Sequence, residues 1–327
     1  MASGWRALRR RVLTPSKSEA NLDVRGFHAK SPAARQLLET VGETFLTGYA
    51  YAVEARVPAE AEERLEQIPR QFRGFAYEGA GMGFAILDAL PFGGTHLSRF
   101  LQGRASEHIY MVYVGVGWAL ARLPRFRWAK ASAGAVDPVL RWLVLDGYGF
   151  HQAYFHTDRY VRQQYREPSF PWPAGGPASY ANRVIDQGIG RATWFVSGTD
   201  PQRAADLIDA FDESRRADLY AGAGLAATYA GGVGEDELQA FVQRAGQYLP
   251  EVAQGSVFGA AARFQTGLVL PHTTLAAATL TGLTPAAASE LADRARTGLL
   301  GASDLPLYEL WRRRITTELR ELRRAAP

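Results

Sequence analysis

The 327-residue sequence contains no cysteine, which excludes disulfide bonds, thiolate metal ligands and a cysteine nucleophile. It also lacks an uncharged apolar run of the ~18 residues that a membrane span needs. Its N-terminal region has no apolar core of about 7–15 residues, the mark of a signal peptide. We therefore expect a soluble, cytoplasmic protein with no membrane span.

Lysine is almost absent. Only Lys17, Lys30 and Lys130 occur among the 37 basic residues, and the others are arginines. The net charge is +4, and arginines are concentrated near both ends of the sequence. Basic ends can bind nucleic acid, but they also occur as solvated helix ends. Because no nucleic-acid-binding motif accompanies them, we expect no nucleic-acid partner.

The motifs of several enzyme classes are missing as well. The sequence has no G-x-S-x-G nucleophile elbow, no Walker loop and no H-E-x-x-H zinc motif. His151 and His156 are five residues apart, whereas zinc-binding pairs on one helix are four apart. The sequence therefore predicts no metal site, and nothing in it indicates a cofactor.

What the sequence does contain is a glycine pattern that recurs along the chain. A glycine, in most copies followed two residues later by a second one, occurs in seven segments. The first glycines of these segments are Gly42, Gly79, Gly115, Gly147, Gly188, Gly222 and Gly259. Their spacings of 32 to 41 residues are typical of a repeat protein. The first and last copies lack the second glycine, and terminal repeats are often atypical.

The composition of these segments, rich in alanine, leucine and other helix formers, favours helices over strands. A glycine inside a helix costs about 0.5–1 kcal/mol relative to alanine, so recurring pairs need a packing reason. Residues two apart point about 200° apart around a helix, so each pair clears both flanks for neighbouring helices. The prediction is an all-α fold of six to seven helical-hairpin repeats, each of about 36 residues. They would form a curved α-solenoid of tetratricopeptide-like type or, alternatively, a closed α/α toroid.

The expected domain organisation is simple. Residues 1–26 are predicted to be a basic N-terminal arm, and residues 27–327 a single helical-repeat domain. The stretch 167–176 holds three prolines and two glycines where the repeat spacing is longest, so we interpret it as a loop insertion.

One face of the glycine helices is predicted to carry the chemistry. It contains the positions one before and three after the first glycine, where carboxylates and aromatic side chains meet. Buried carboxylates need partners or have perturbed pKa values, and aromatic concave surfaces are typical of ligand clefts. The candidate catalytic residues are Glu78, Asp146 and His151. The candidate substrate-binding residues are Trp118, Phe150, Gln187, Arg191 and Trp194.

A structural interpretation of the same residues stays open. This face can instead pack on the partner helix of each hairpin, with both carboxylates bonded to backbone or arginine. His151 has an ordinary pKa near 6.5, which suits a general acid or base, but it can equally be a hydrogen-bonded core histidine.

Four long motifs carry a family resemblance: RGFHAKSPAARQLLETVGETFLTGY, RGFAYEGAGMGFAILD, YVGVGWALARLP and WLVLDGYGFHQAYF. They resemble a bacterial family of proteins of unknown function that are encoded in polyketide gene clusters, best known from enediyne natural products. The resemblance implies a role beside an iterative polyketide synthase, on a polyene or enediyne-core precursor. It implies no catalytic residue.

Two functions follow from this resemblance and the predicted face. The protein can be an enzyme that tailors the precursor, or a non-catalytic scaffold or chaperone. The scaffold would dock the polyketide synthase or other proteins of the same pathway on an extended concave surface. The sequence leaves open whether the protein catalyses a reaction.

Overall fold

The computed structural model describes residues 2–299 and 305–325, which are helices and connecting turns without a strand. The all-α prediction is therefore confirmed. Seven long helices carry the glycine pattern: α3 (Pro32–Glu54), α5 (Arg70–Ala89), α7 (Ile109–Arg122), α9 (Leu143–Phe155), α10 (Ala178–Val196), α12 (Glu213–Tyr229) and α14 (Leu249–Gln265). Within the described part of the chain, no helix is long and apolar enough to cross a membrane.

The other helices precede, connect or follow the long ones, and all but α17 are shorter than these. They are α1 (Ala2–Leu13), α2 (Leu22–Arg25), α4 (Pro58–Leu65), α6 (His96–Leu101), α8 (Trp128–Ala131), α11 (Pro201–Asp209), α13 (Glu235–Ala245), α15 (Pro271–Thr281), α16 (Pro285–Arg296) and α17 (Leu307–Ala325). Local sequence sets several of their starts. Asp200 accepts hydrogen bonds from the first backbone N–H groups of α11, and Pro201 fits the first helical position.

The long helices pack side by side in chain order, and glycine sets how closely they approach. A Cβ atom on Gly222 would lie 1.9 Å from the carbonyl oxygen of Gln187 on the preceding helix α10. One on Gly224 would lie 2.2 Å from the carbonyl oxygen of Val252 on the following helix α14. The two glycines of a pair thus face opposite neighbours, as their 200° separation predicts. The same directions hold for the pairs Gly79/Gly81, Gly115/Gly117, Gly147/Gly149 and Gly188/Gly190.

In the first and last long helices, α3 and α14, the close contacts are made one helical turn away from the glycines of the sequence pattern. In α14 it is Gly255, rather than Gly259, that faces the carbonyl oxygen of Ala221, which would lie 1.8 Å from an added Cβ. In α3 the carbonyl that faces Gly79 belongs to Phe45, so α3 pairs with α5 one turn later than Gly42 suggests. Gly42 instead lies against Ala20 of the N-terminal region.

A second set of contacts joins helices that are four places apart in the stacking order. Lys30, just before α3, donates to the carbonyl oxygen of Thr199, just after α10, at 3.2 Å. Phe75 near the start of α5 packs edge-on against Tyr229 at the end of α12, with ring centroids 5.2 Å apart. The same stagger joins Tyr110 of α7 to Gln265 of α14. It also joins Asp137, before α9, to Arg296 of α16, the helix that packs next to α14. The start of one long helix therefore meets the end of the helix four places further on.

The N-terminal residues pack against this stack. Arg9 of α1 donates to the carbonyl oxygens of Val53 and Ala55 at the end of α3. Ala20 and Leu22 are buried against the long helices. The region predicted as an arm, residues 1–26, is thus helical over much of its described length and covers α3.

The loop at 167–176 lies between α9 and α10, where the structure has a single π-helical turn (Asp158–Arg162) in place of a short connecting α-helix. Its Phe170 and Trp172 are buried. Phe170 stacks on Trp128 with ring centroids 5.4 Å apart. The proline- and glycine-rich stretch is therefore anchored by two aromatic side chains.

The glycine contacts predict a large effect of a single methyl group. Gly222→Ala places a Cβ within van der Waals overlap of a backbone carbonyl that cannot rotate away, so α10 and α12 must separate. We expect the free energy of unfolding to fall by about 3 kcal/mol in urea denaturation followed by circular dichroism.

Gly4→Ala is the matched control, because Gly4 lies in α1 with no neighbouring atom within 4 Å of an added Cβ. That variant should be as stable as the wild type or slightly more stable. Equal stability of Gly222→Ala and wild type would contradict the close helix contact.

Candidate functional site

Two narrow cavities lie in the interior between the long helices. The centre of a water-sized sphere can occupy about 40 Å³ in the first, called the α14 cavity, and about 50 Å³ in the second, called the α3 cavity. Phe75, Arg191 and Phe195 line both, so the two cavities meet at these side chains.

The walls of both cavities are mainly apolar and aromatic. The α14 cavity is lined by Tyr110, Leu225, Tyr229, Phe258, Ala262 and Trp311, among others. The α3 cavity is lined by Leu38, Val41, Phe45, Trp118, Phe150 and Tyr154, among others. The N-terminal region closes one side of the α3 cavity through Glu19 and Ala20, and Trp311 of α17 borders the α14 cavity.

A buried ion pair lies where the cavities meet. Arg191 of α10 donates to a carboxylate oxygen of Asp146 on α9, which has no exposed surface. Gln187, one turn before Arg191, donates to the second Asp146 oxygen at 2.7 Å. Gln187 also bonds the Tyr308 hydroxyl of α17 at 3.0 Å. Both oxygens of Asp146 are thus occupied, which stabilises a charge that would otherwise be costly to bury.

Glu78 of α5 is the second carboxylate of this group, and it is held more loosely. Its nearest oxygen is 3.9 Å from Arg191, beyond hydrogen-bonding distance. Burial raises the pKa of Glu78 to about 7. The positive charge of Arg191 and the indole N–H of Trp118 oppose this rise, and the negative charge of Asp146 adds to it. Glu78 therefore exists in both protonation states near neutral pH and can give or accept a proton.

The structure brings six of the eight predicted site residues together. Glu78, Asp146, Gln187, Arg191, Trp118 and Phe150 surround the junction of the cavities or line them. Arg191 also lies over the ring of Phe150, 5.0 Å from its centroid. The shared face predicted from the glycine register therefore turns toward the interior space.

His151 lies one layer behind the cavity wall. Its ring meets Trp118 edge-on at 5.5 Å between centroids. Burial, together with the charges of Arg122 and His156, lowers the pKa of His151 to about 3. The imidazole is therefore neutral at physiological pH and, as a weak base, is poorly suited to accept a proton there.

Trp194 is not part of the group. Its indole N–H donates to the carbonyl oxygen of Gly231 at 3.0 Å, and its ring packs against Phe241 of α13. It therefore faces the short outer helices. The next residue, Phe195, points to the cavities instead.

Sequence reasoning missed three contributors to the site. Phe75 and Phe195 lie on the same helix faces as Glu78 and Arg191, three residues before and four residues after them, so helical spacing alone could have found them. Tyr308 could not have been found in this way. It comes from α17, more than a hundred residues after Gln187, and no spacing rule connects the two.

Among the described residues, no three histidine or carboxylate side chains are grouped so that they could hold a metal ion. The two carboxylates at the junction face an arginine. The chemistry that this arrangement offers is therefore proton transfer and hydrogen bonding beside an apolar chain, with Asp146 and Arg191 neutralising each other.

The raised pKa of Glu78 predicts a pH-dependent stability. Between about pH 4.5 and pH 7 the folded protein keeps a proton on Glu78 that the unfolded chain releases. Stability of the wild type therefore falls relative to Glu78→Gln as the pH rises through this range. At about pH 8 we expect the difference in unfolding free energy to have changed by an amount on the order of 3 kcal/mol in favour of the variant.

The measurement is urea denaturation of both proteins across this pH range. Glu43→Gln, on an exposed position of α3, is the control and should differ from the wild type by a constant amount. A constant difference for Glu78→Gln would mean that the pKa of Glu78 is the same in the folded and the unfolded protein.

Comparison with known proteins gives a family but no described activity. No curated protein and no solved structure matches the chain. One family model, described as "Protein of unknown function (DUF1702)", matches residues 4–319. This range contains all of the long helices and every residue of the candidate site. The chain therefore belongs to the DUF1702 family of proteins of unknown function.

Proposed function

We propose that the protein binds an extended, largely apolar molecule in the α14 and α3 cavities. In the cell this molecule would be a polyene or enediyne-core precursor of a polyketide natural product. One observation carries the proposal: two narrow apolar cavities meet at a buried group of Glu78, Asp146 and Arg191.

The shape and the lining of the cavities suit a conjugated chain. A polyene is thin, apolar and polarizable, so it gains most from flat aromatic walls and loses least on leaving water. In the α3 cavity, Phe45, Trp118 and Phe150 form a continuous aromatic wall, with ring centroids 4.3 and 5.3 Å apart. A polyene that extends through both cavities would have the middle of its chain next to Glu78 and Arg191.

Glu78 is the group that we propose to exchange a proton with the bound precursor. It is the carboxylate at the junction that Arg191 does not hold by a hydrogen bond, and its pKa is raised to about 7. Asp146 is fully engaged by Arg191 and Gln187, which suits a role in holding the guanidinium in place. The resulting activity would be isomerisation or cyclisation of the precursor by proton transfer.

For the architecture, we propose that the long helices are repeats wound into a curved solenoid rather than a closed toroid. In a flat ring, neighbouring helices would end at the same level. Here the start of α5 meets the end of α12, and the start of α7 meets the end of α14. This stagger supports a superhelix with about four long helices per turn, which would place the cavities along its axis.

The binding proposal predicts uptake of a polyene probe. We expect the hydrocarbon analogue of parinaric acid, a fluorescent linear tetraene, to bind the wild-type protein with an increase in tetraene fluorescence. Ala262→Leu fills part of the α14 cavity and should weaken binding by about tenfold.

Ala59→Leu adds the same atoms on an exposed position of α4 and is the control. It should bind the probe as the wild type does. If the wild type does not bind the tetraene, or if both variants bind equally, the cavities are not the site.

A second candidate function is docking of partner proteins, which two exposed aromatic side chains favour. Phe92, after α5, is fully exposed and Phe126, after α7, is 79% exposed. Arg125 and Arg127 flank Phe126 in the sequence, and Lys130 follows it four residues later. Exposed aromatic residues with flanking arginines are typical of protein–protein contact sites.

The two candidates predict different results when variants complement a gene deletion in a polyketide-producing strain. If the protein acts on a precursor by proton transfer, Glu78→Gln leaves a discrete polyene intermediate accumulating, whereas Phe92→Ser with Phe126→Ser restores the product. The docking function predicts the reverse. Restoration by both variants would exclude both roles for these residues; metabolite profiling by mass spectrometry makes the distinction.

A further inference from the structure

A buried hydrogen-bond donor faces the α3 cavity without a partner. The indole N–H of Trp118 has no hydrogen-bond partner, although the residue is only 8% exposed and lines this cavity. Phe45 and Phe150 pack against its ring and hold it in place. Buried N–H groups are nearly always satisfied in folded proteins, so an unpaired one that borders a cavity points to a missing acceptor.

The Glu78 carboxyl borders the same cavity. It lies close enough to Trp118 for the indole N–H to lower its pKa and oppose the effect of burial, although the two groups make no well-formed hydrogen bond. It is too far from Arg191 for a hydrogen bond. The guanidinium is directed to Asp146 instead. Two polar groups on α5 and α7 thus face one apolar space, and neither is held by a strong protein partner.

We propose that the α3 cavity binds the oxygen atom of a carbonyl group on the apolar ligand, which accepts hydrogen bonds from the Trp118 indole N–H and the carboxylic acid of Glu78. This inference rests on the proposed function, because it names the chemical group of the ligand that the cavities would hold.

A carbonyl fits this pair better than other oxygen groups do. It only accepts hydrogen bonds, and both groups donate when Glu78 carries its proton. A carboxylate would meet the negative charge of Asp146 in a water-poor interior where the arginine is already paired. A hydroxyl on the ligand would donate a hydrogen bond to ionised Glu78. Its binding affinity would therefore rise with pH, whereas the affinity for a carbonyl falls.

The test uses three probes with the same fluorescent tetraene: methyl parinarate, parinaryl alcohol and the tetraene hydrocarbon. Trp118→Phe removes the N–H and keeps an aromatic ring. We expect it to weaken binding of the ester by about tenfold and to change the affinity for the hydrocarbon less than twofold.

The matched control is Trp172→Phe. The indole N–H of Trp172 is also buried and unpartnered, but this residue lies in the 167–176 loop and does not line the α3 cavity. It should leave the affinity for all three probes unchanged. Equal weakening of ester and hydrocarbon by Trp118→Phe would mean that Trp118 only packs, and would overturn the carbonyl site while leaving the binding function intact. If the wild type binds none of the probes, both proposals fall.

The pH dependence of ester binding provides a second readout. The charged or titratable groups that act on Glu78 are Arg191 on α10, Asp146 on α9 and Tyr229 on α12. With its pKa near 7, the Glu78 donor is lost as the pH rises, so wild-type affinity for the ester should fall about tenfold between about pH 6 and pH 8.

Glu78→Gln keeps an N–H donor that does not titrate. It should bind the ester with an affinity that is independent of pH, and the hydrocarbon should show no pH dependence with either protein. If parinaryl alcohol binds more tightly than the ester and its affinity rises with pH, the site binds a hydroxyl donor and the carbonyl proposal is wrong. An ester affinity that does not change with pH would exclude Glu78 from the contact.

Discussion

The close approach of helix backbones at glycine is the contact on which the rest of this structure depends. At six successive helix interfaces, a carbonyl oxygen of one long helix occupies the place where a Cβ of the next would be. With alanine at these positions, neighbouring helices would have to move apart. The side chains on the interior faces would then no longer meet, because the cavities, the ion pair and the aromatic wall all lie on residues adjacent to these contacts.

The same contacts explain why charged residues sit in the interior. The residue just before the first glycine of each pair offers its carbonyl to the next helix and directs its side chain along the shared face. This residue is Glu78 in α5, Asp146 in α9 and Gln187 in α10. Asp146 gains two strong partners, whereas Glu78 keeps a raised pKa and a free side toward the α3 cavity. One repeated geometry thus produces one fixed carboxylate and one that can titrate.

Helical periodicity predicted which side chains share a face, and this prediction was correct in the central helices, where the glycine pairs make the expected contacts. Glu78, Trp118, Asp146 and Arg191 come from four different helices, yet the structure brings them to one interior space. The register was displaced by one turn at the two ends, where Gly42 lies against Ala20 and the closest contact of α14 is made by Gly255 rather than Gly259. It also failed for Trp194, seven residues after Gln187 on the same side of α10, because the outer helix α13 covers that end of the face.

The amino-acid sequence by itself determined the helical class, the spacing of the long helices and the residues on their shared face, because these follow from local propensity and from the size of glycine. Only the tertiary structure decided that α17 contributes Tyr308 and Trp311, that the N-terminal region borders the α3 cavity, and that His151 is shielded behind Trp118. These contacts join residues far apart in the chain, so no local pattern records them. The pKa values of Glu78 and His151 likewise depend on burial and on charges from several helices, which exist only in the folded protein.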